Sequence, residues 1–189
     1  MYKQELRALY KAKRKALSHK ERLKLDDLML LRFQQFDYGD IQTVLSYWPI
    51  TGMAEPNTHL FAGYLRHLLP GLRISYPVIN PVTNEMKAVA ITEDTVYDTN
   101  ALGITEPREG EEVPASEIDL VLVPMLVCDR KGFRVGYGKG YYDRFLAKCR
   151  EAIVKTGFSY FEPVDQITDS NQFDVPLTYC ITPQQIYEF

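Results

Sequence analysis

The sequence predicts an α/β fold: a single three-layer domain over residues 1–189, with a mostly parallel sheet and helices on both of its faces. Stretches of helical hydrophobic spacing alternate along the chain with short β-branched and aromatic runs. The most apolar run, Asp119 to Val127 (DLVLVPMLV), reads as a strand buried on both sides, as the central strands of parallel sheets are. A glycine-rich segment follows it and leads into another helical pattern, and open α/β sheets place their ligands beyond the carboxyl ends of such strands. At 189 residues the chain has the size of one compact domain that buries a core without metal or disulfide staples.

Leu6, Leu9, Tyr10, Lys13 and Leu17 recur at helical spacing among lysines and arginines, so residues 3–17 read as an amphipathic helix. Ser18 and Glu21 form the S-x-x-E capping box of a second helix, expected to run to about Phe36 and to bury Leu23, Leu28, Leu31 and Phe33. Ile41 to Trp48, bracketed by Gly39 and Pro49, is the first strand. Thr58 to Leu69 returns to helical spacing and stops at Pro70 and Gly71. Leu72 to Ile79 is the next strand and Lys87 to Ile91 a weaker one. The polar stretch from Thr105 to Glu117 carries no periodicity and reads as a surface loop. Beyond the glycine-rich segment, Tyr141 to Arg150 reads as helix, Ala152 to Phe158 as strand and Leu177 to Thr182 as a last short strand.

Composition narrows the function classes. A hydrophobic share of 46% and a charged share of 25% are those of an ordinary soluble domain. A net charge of -3 argues against a general nucleic-acid binder, which needs uncompensated Lys and Arg. Cys128, Cys149 and Cys180 are widely spaced and contain no CxxC pair, which fits a reducing cytoplasm better than a disulfide framework or a zinc site. His19, His59 and His67 share no spacing with acidic or cysteine ligands. The basic N-terminal stretch lacks the apolar centre of a secretory signal, and no apolar run reaches membrane-spanning length, so no membrane partner is expected.

The segment from Gly132 to Arg144, GFRVGYGKGYYDR, carries the densest chemistry. Gly136, Gly138 and Gly140 alternate with larger residues, which frees the backbone to aim several N–H groups at one anion, and Arg134 and Lys139 add positive charge. A helix starting near Gly140 would add its unpaired amides. Neither GxxxxGK[ST] nor GxGxxG is present. From these residues alone the segment is either a phosphate loop or a glycine turn that serves packing. Asp143 either holds Mg²⁺ against nucleotide phosphates or answers the dipole of the helix it opens.

The strand VPMLVCD followed by GFRVGYGKGYYDR resembles the signature of the 5-formyltetrahydrofolate cyclo-ligase family. The similarity extends to a K-x-x-x-R helix at Lys3 and Arg7, an E-x-x-T segment at Glu55 and a D-x-P-L segment at Asp174. It implies an ATP- and Mg²⁺-dependent enzyme that closes the ring of 5-formyltetrahydrofolate, with or without a polyglutamate tail, to 5,10-methenyltetrahydrofolate through a phosphorylated formyl group. ADP and phosphate are released. By resemblance, Lys3, Arg7, Arg134 and the run Gly136, Tyr137, Gly138, Lys139, Gly140, Tyr141 and Tyr142 would hold ATP, with Lys139 and Arg134 catalytic. Glu55, Leu45 and Tyr141 would bind the folate, and Asp143 and Asp174 the metal. Lys3 and Arg7 share one helix face, which by itself better describes a solvated basic surface, so their role is what the resemblance implies. The connection SYWPITGMA between Leu45 and Glu55 is longer than that common in the family. A cytoplasmic monomer is expected. The alternatives are a non-catalytic folate- or nucleotide-binding protein on the same fold, and a sugar-phosphate enzyme active without ATP.

Overall fold

Two helices precede the sheet: α1 (Lys3–Ala16) and α2 (His19–Phe33). The computed structural model describes residues 1–189, the side chain of Thr51 excepted. Strand β1 (Thr43–Leu45), a 3-10 turn at Thr51–Met53, helix α3 (Thr58–Leu68) and strand β2 (Arg73–Asn80) follow. The chain then makes β3 (Glu85–Ala90), β4 (Tyr97–Thr99), β5 (Thr105–Pro107), β6 (Glu112–Val113) and β7 (Leu120–Val123). A hairpin of β8 (Val127–Cys128) and β9 (Arg134–Val135) leads to helix α4 (Tyr141–Leu146). Strands β10 (Val154–Phe158), β11 (Tyr179–Ile181) and β12 (Ile186–Glu188) complete the order.

The main sheet has 8 strands in the order β12-β11-β10-β7-β1-β2-β3-β6. Its centre, from β11 to β2, is parallel throughout, and the antiparallel pairs lie at the flanks. Alternation along the central strands divides the core between the two faces. Val44, Leu120 and Leu122 pack with Met29, Phe33 and Phe61 of α2 and α3, where Phe61 and Phe158 stack with centroids 3.8 Å apart. Leu45, Val121 and Val123 pack on the other face with Phe145, Leu146 and Ile153. The three-layer α/β architecture is therefore as expected. Helix α1 lies apart from both layers, packing Leu6 and Tyr10 onto Leu126, Val127 and Val135 of the hairpin region. Among the described residues, no helix is long and apolar enough to cross a membrane.

Several elements differ from expectation. On α2, Leu23 and Leu31 are exposed and Leu28 is half-buried, while Asp26, Met29 and Phe33 form the inner stripe. The leucines are so dense there that spacing alone does not select a face. On α1, Leu9 and Lys13 point outward and Arg14 occupies the buried stripe with Leu6 and Tyr10. The stretch 105–117 holds β5, a second 3-10 turn and β6, which pairs with β3 at the sheet edge. Elements this short display no period of their own. The run Asp119–Val127 divides at Pro124, which has no N–H for a ladder, so the hairpin β8–β9 intervenes before the glycine loop. Helix α4 stops at Leu146, where the apolar spacing of Tyr141, Tyr142, Phe145 and Leu146 ends. β12, absent from the expected elements, pairs antiparallel with β11.

Candidate active site

Beyond the carboxyl ends of β1 and β7, where adjacent crossovers diverge, lies a cavity of about 470 Å³. One wall is the loop after β9. Gly138 and Gly140 take φ of +92° and +68°, the left-handed region that strains any residue with a β-carbon. A β-carbon at Gly140 would also meet Arg144 Nη1 at 2.8 Å. Arg7 lies against this loop: its Nε donates to the Gly136 carbonyl at 2.9 Å, and a β-carbon on Gly138 would sit 3.3 Å from its guanidinium. Lys139 is exposed at the rim; its carbonyl accepts from Arg144 Nη2 at 3.0 Å, and its ammonium makes no hydrogen bond or ion pair among the described residues. Because α4 is only 6 residues long, an anion here would rely on loop amides and cationic side chains more than on a helix dipole.

Arg134 anchors the same end. It is buried, donates through Nη2 to Asp143 Oδ1 at 2.8 Å and through Nη1 to the Val175 carbonyl. Asp143 Oδ1 also accepts the Val175 amide at 3.1 Å, and Lys3 Nζ lies 2.6 Å from both oxygens of Asp174. Burial works against the Arg134 charge, and Asp143 and Asp174 nearby support it. Two carboxylates thus flank one buried cation at one end of the cavity. This donor set fits Mg²⁺, which takes few protein oxygens and completes its shell with phosphate and water. Among the described residues no group of three or more His, Cys, Asp or Glu gathers as a metal cage.

The opposite end is built around Glu55. Its carboxylate accepts the Ile50 amide at 2.6 Å and the Tyr137 hydroxyl at 2.5 Å. Burial pushes its pKa up, and the two hydrogen bonds and the Arg14 charge oppose that rise. Tyr160 holds the loop from beneath, donating to Asp26 at 2.9 Å and lying 3.3 Å from the Glu55 carbonyl. Trp48, Ile50, Pro77, Ile79 and Ile104 supply an apolar wall, with Trp48 edge-on to His59 at 4.5 Å. A flat heterocycle with ring N–H groups suits such a wall and carboxylate. Tyr137 belongs to the glycine loop, so one residue joins the cationic end to the carboxylate end.

The family model described as the 5-formyltetrahydrofolate cyclo-ligase family matches residues 1–183. The chain belongs to that family. The cyclo-ligase of Haemophilus influenzae is 30% identical over 105 residues, covering 53% of this chain and 56% of the relative, so the aligned part spans about half of that relative. The Escherichia coli K12 cyclo-ligase is 25% identical over 63% of this chain and 68% of its own. Among solved structures, the 5,10-methenyltetrahydrofolate synthetase of Aquifex aeolicus superposes with a TM-score of 0.81 at 29% identity, covering 100% of this chain and 93% of that one. The synthetase of Mycoplasma pneumoniae gives 0.76 at 26% identity over 97% and 99%.

For a cyclo-ligase chain, the expected site residues converge with one exception. Residues from Lys3 and Arg7 through Glu55 and the glycine loop to Asp143 and Asp174 all line the cavity. Leu45 does not: it is fully buried in β1, inside the core, and its successors Tyr47 and Trp48 reach the wall instead. Tyr141 lines the cavity while most of its ring packs in the core, and the Tyr142 hydroxyl is buried with no hydrogen-bond partner among the described residues. Sequence reasoning missed Lys11 and Arg14. With Lys3 and Arg7 they continue one stripe along α1, a spacing already present in the sequence. Nothing in the sequence marks Leu102 or Ile104, which arrive from a loop by tertiary folding.

Proposed function

We propose that this cyclo-ligase family member uses ATP and Mg²⁺ to close 5-formyltetrahydrofolate to 5,10-methenyltetrahydrofolate, releasing ADP and phosphate. The observation that carries this reading is the shared cavity, with a cationic glycine loop at one end and a buried carboxylate beside an apolar wall at the other. The folate pterin lies on the apolar wall with its ring N–H groups donating to Glu55. The triphosphate lies along Gly136–Gly140 beneath Arg7 and Lys139.

A formamide oxygen is a poor leaving group, which is why ring closure needs ATP. The formyl oxygen attacks the terminal phosphorus, the bond to the ADP oxygen breaks, and N5 becomes an iminium. N10 adds to the activated carbon and loses its proton. The N5 lone pair then expels phosphate, leaving the methenyl bridge. Lys139 and Arg134 offset the charge that builds on the transferred group, and alignment in one pocket supplies much of the remaining acceleration. Asp143 and Asp174 would hold Mg²⁺, which when bound neutralises phosphate charge. The protein would act in the cytoplasm as a monomer, and its free thiols agree with a reducing compartment.

Purified protein given 5-formyltetrahydrofolate, ATP and Mg²⁺ should generate the near-ultraviolet absorbance of the methenyl product. Omitting either ATP or Mg²⁺ should abolish it. No product in the complete mixture, or equal product without ATP, would contradict the proposal.

A further inference from the structure

Arg14 is completely buried and forms no ion pair with a carboxylate among the described residues. A buried guanidinium is costly unless its donors and charge are answered. Its Nη2 donates to the Met125 carbonyl, its Nη1 to the Tyr137 hydroxyl at 3.1 Å, and its Nε has no partner among the described residues. Arginine has no acceptor, so it takes a lone pair of the phenol oxygen and leaves the Tyr137 proton for Glu55 Oε1, 2.5 Å away. The Ile50 amide holds Oε2 at 2.6 Å. Both oxygens of Glu55 are thereby fixed, one of them by way of α1.

We propose that Arg14 is a positioning residue for folate binding, holding the Tyr137 hydroxyl so that the Glu55 carboxylate stays aimed into the cavity. The inference rests on the cyclo-ligase reading of Glu55. It gives α1 a role at both ends of the cavity, since Lys3 and Arg7 serve the phosphate end.

The groups around Glu55 come from several elements. Tyr137 lies in the glycine loop, Tyr47 follows β1, Tyr142 is on α4, and Tyr160 contacts the Glu55 carbonyl and leads to Asp26 on α2. Arg14 is the cation among them. Burial favours the protonated acid, and Arg14 opposes it. Replacing Arg14 by an uncharged residue of similar length should therefore move the protonation of Glu55 to higher pH and weaken its grip on ring N–H donors.

The test compares wild type, Arg14→Met, Arg14→Lys, Tyr137→Phe and the Arg14→Met/Tyr137→Phe pair by steady-state kinetics from pH 5 to 9, with folding followed by circular dichroism. Arg14→Met should raise the folate KM about tenfold or more, leave kcat and the ATP KM within about threefold, and shift the acid limb of folate kcat/KM to higher pH. Arg14→Lys should return that limb toward wild type. The double variant should lose less than the sum of the singles, as members of one chain of contacts do. An unchanged folate KM and acid limb in folded Arg14→Met would overturn the inference, as would additive losses. So would an acid limb that moves in Asp26→Asn and not in Arg14→Met. A wild type that neither cyclises nor binds 5-formyltetrahydrofolate would instead overturn the functional reading, and this inference with it.

Discussion

Lys139 and Arg134 divide the cationic end of the cavity by accessibility. Arg134 is buried between Asp143 and the Val175 carbonyl, which fixes its guanidinium before any ligand arrives, whereas Lys139 is exposed at the rim. A free, mobile ammonium gains most where negative charge increases during reaction. Lys139→Ala should therefore lower kcat about 100-fold while 5-formyltetrahydrofolate binding, measured by calorimetry, changes within about threefold. Equal losses in kcat and folate affinity would move Lys139 from catalysis to binding. At this scale the glycine loop was legible because Gly138 and Gly140 meet a backbone demand that few other residues satisfy. Arg14 was not, because an arginine in a basic helix looks solvated until the fold shows which stripe is inside.

Helix α2 shows the same problem at the scale of an element, since its leucines are too dense to name a face and the inner stripe contains an acid. Asp26 accepts from Tyr160 at 2.9 Å and from the Asn57 amide at 3.3 Å, tying α2 to the segment that carries Glu55. Burial raises its pKa from 3.8 to about 6, and its hydrogen bonds and Arg22 only partly oppose the rise. The folded state therefore holds this proton more tightly than the unfolded chain. Its contribution favours folding below about pH 4, declines as pH rises from about 4 to 6, and stays lost above that window. Asp26→Asn keeps an acceptor oxygen for Tyr160 and removes the titration. Relative to the variant, wild type should lose up to about 2 kcal/mol between pH 4 and 7 in urea titrations. A stability difference that does not change with pH would contradict this. The parallel strands and α3 were readable because their apolar spacing is regular; β4, β5, β6 and β12 were not, because partners distant in sequence create strands this short.

Across the whole molecule, the sheet sets the distance between the two ends of the cavity. The segment after β1 delivers Tyr47, Trp48 and Glu55, and the hairpin after β7 delivers the glycine loop, from strands that are direct neighbours. Helix α1 then closes over both, from the Lys3–Asp174 pair to Arg14. The fold class and family signature were written in the sequence, while the meeting of loop and carboxylate through Tyr137 depends on three-dimensional register. This arrangement predicts direct transfer of the terminal phosphoryl group from ATP to the formyl oxygen. The most direct test uses 5-formyltetrahydrofolate labelled with ¹⁸O at the formyl oxygen, followed by mass analysis of the released phosphate. One labelled oxygen should appear in the phosphate for each ring closed. Unlabelled phosphate, with the label lost to water, would contradict phosphorylation of the formyl group.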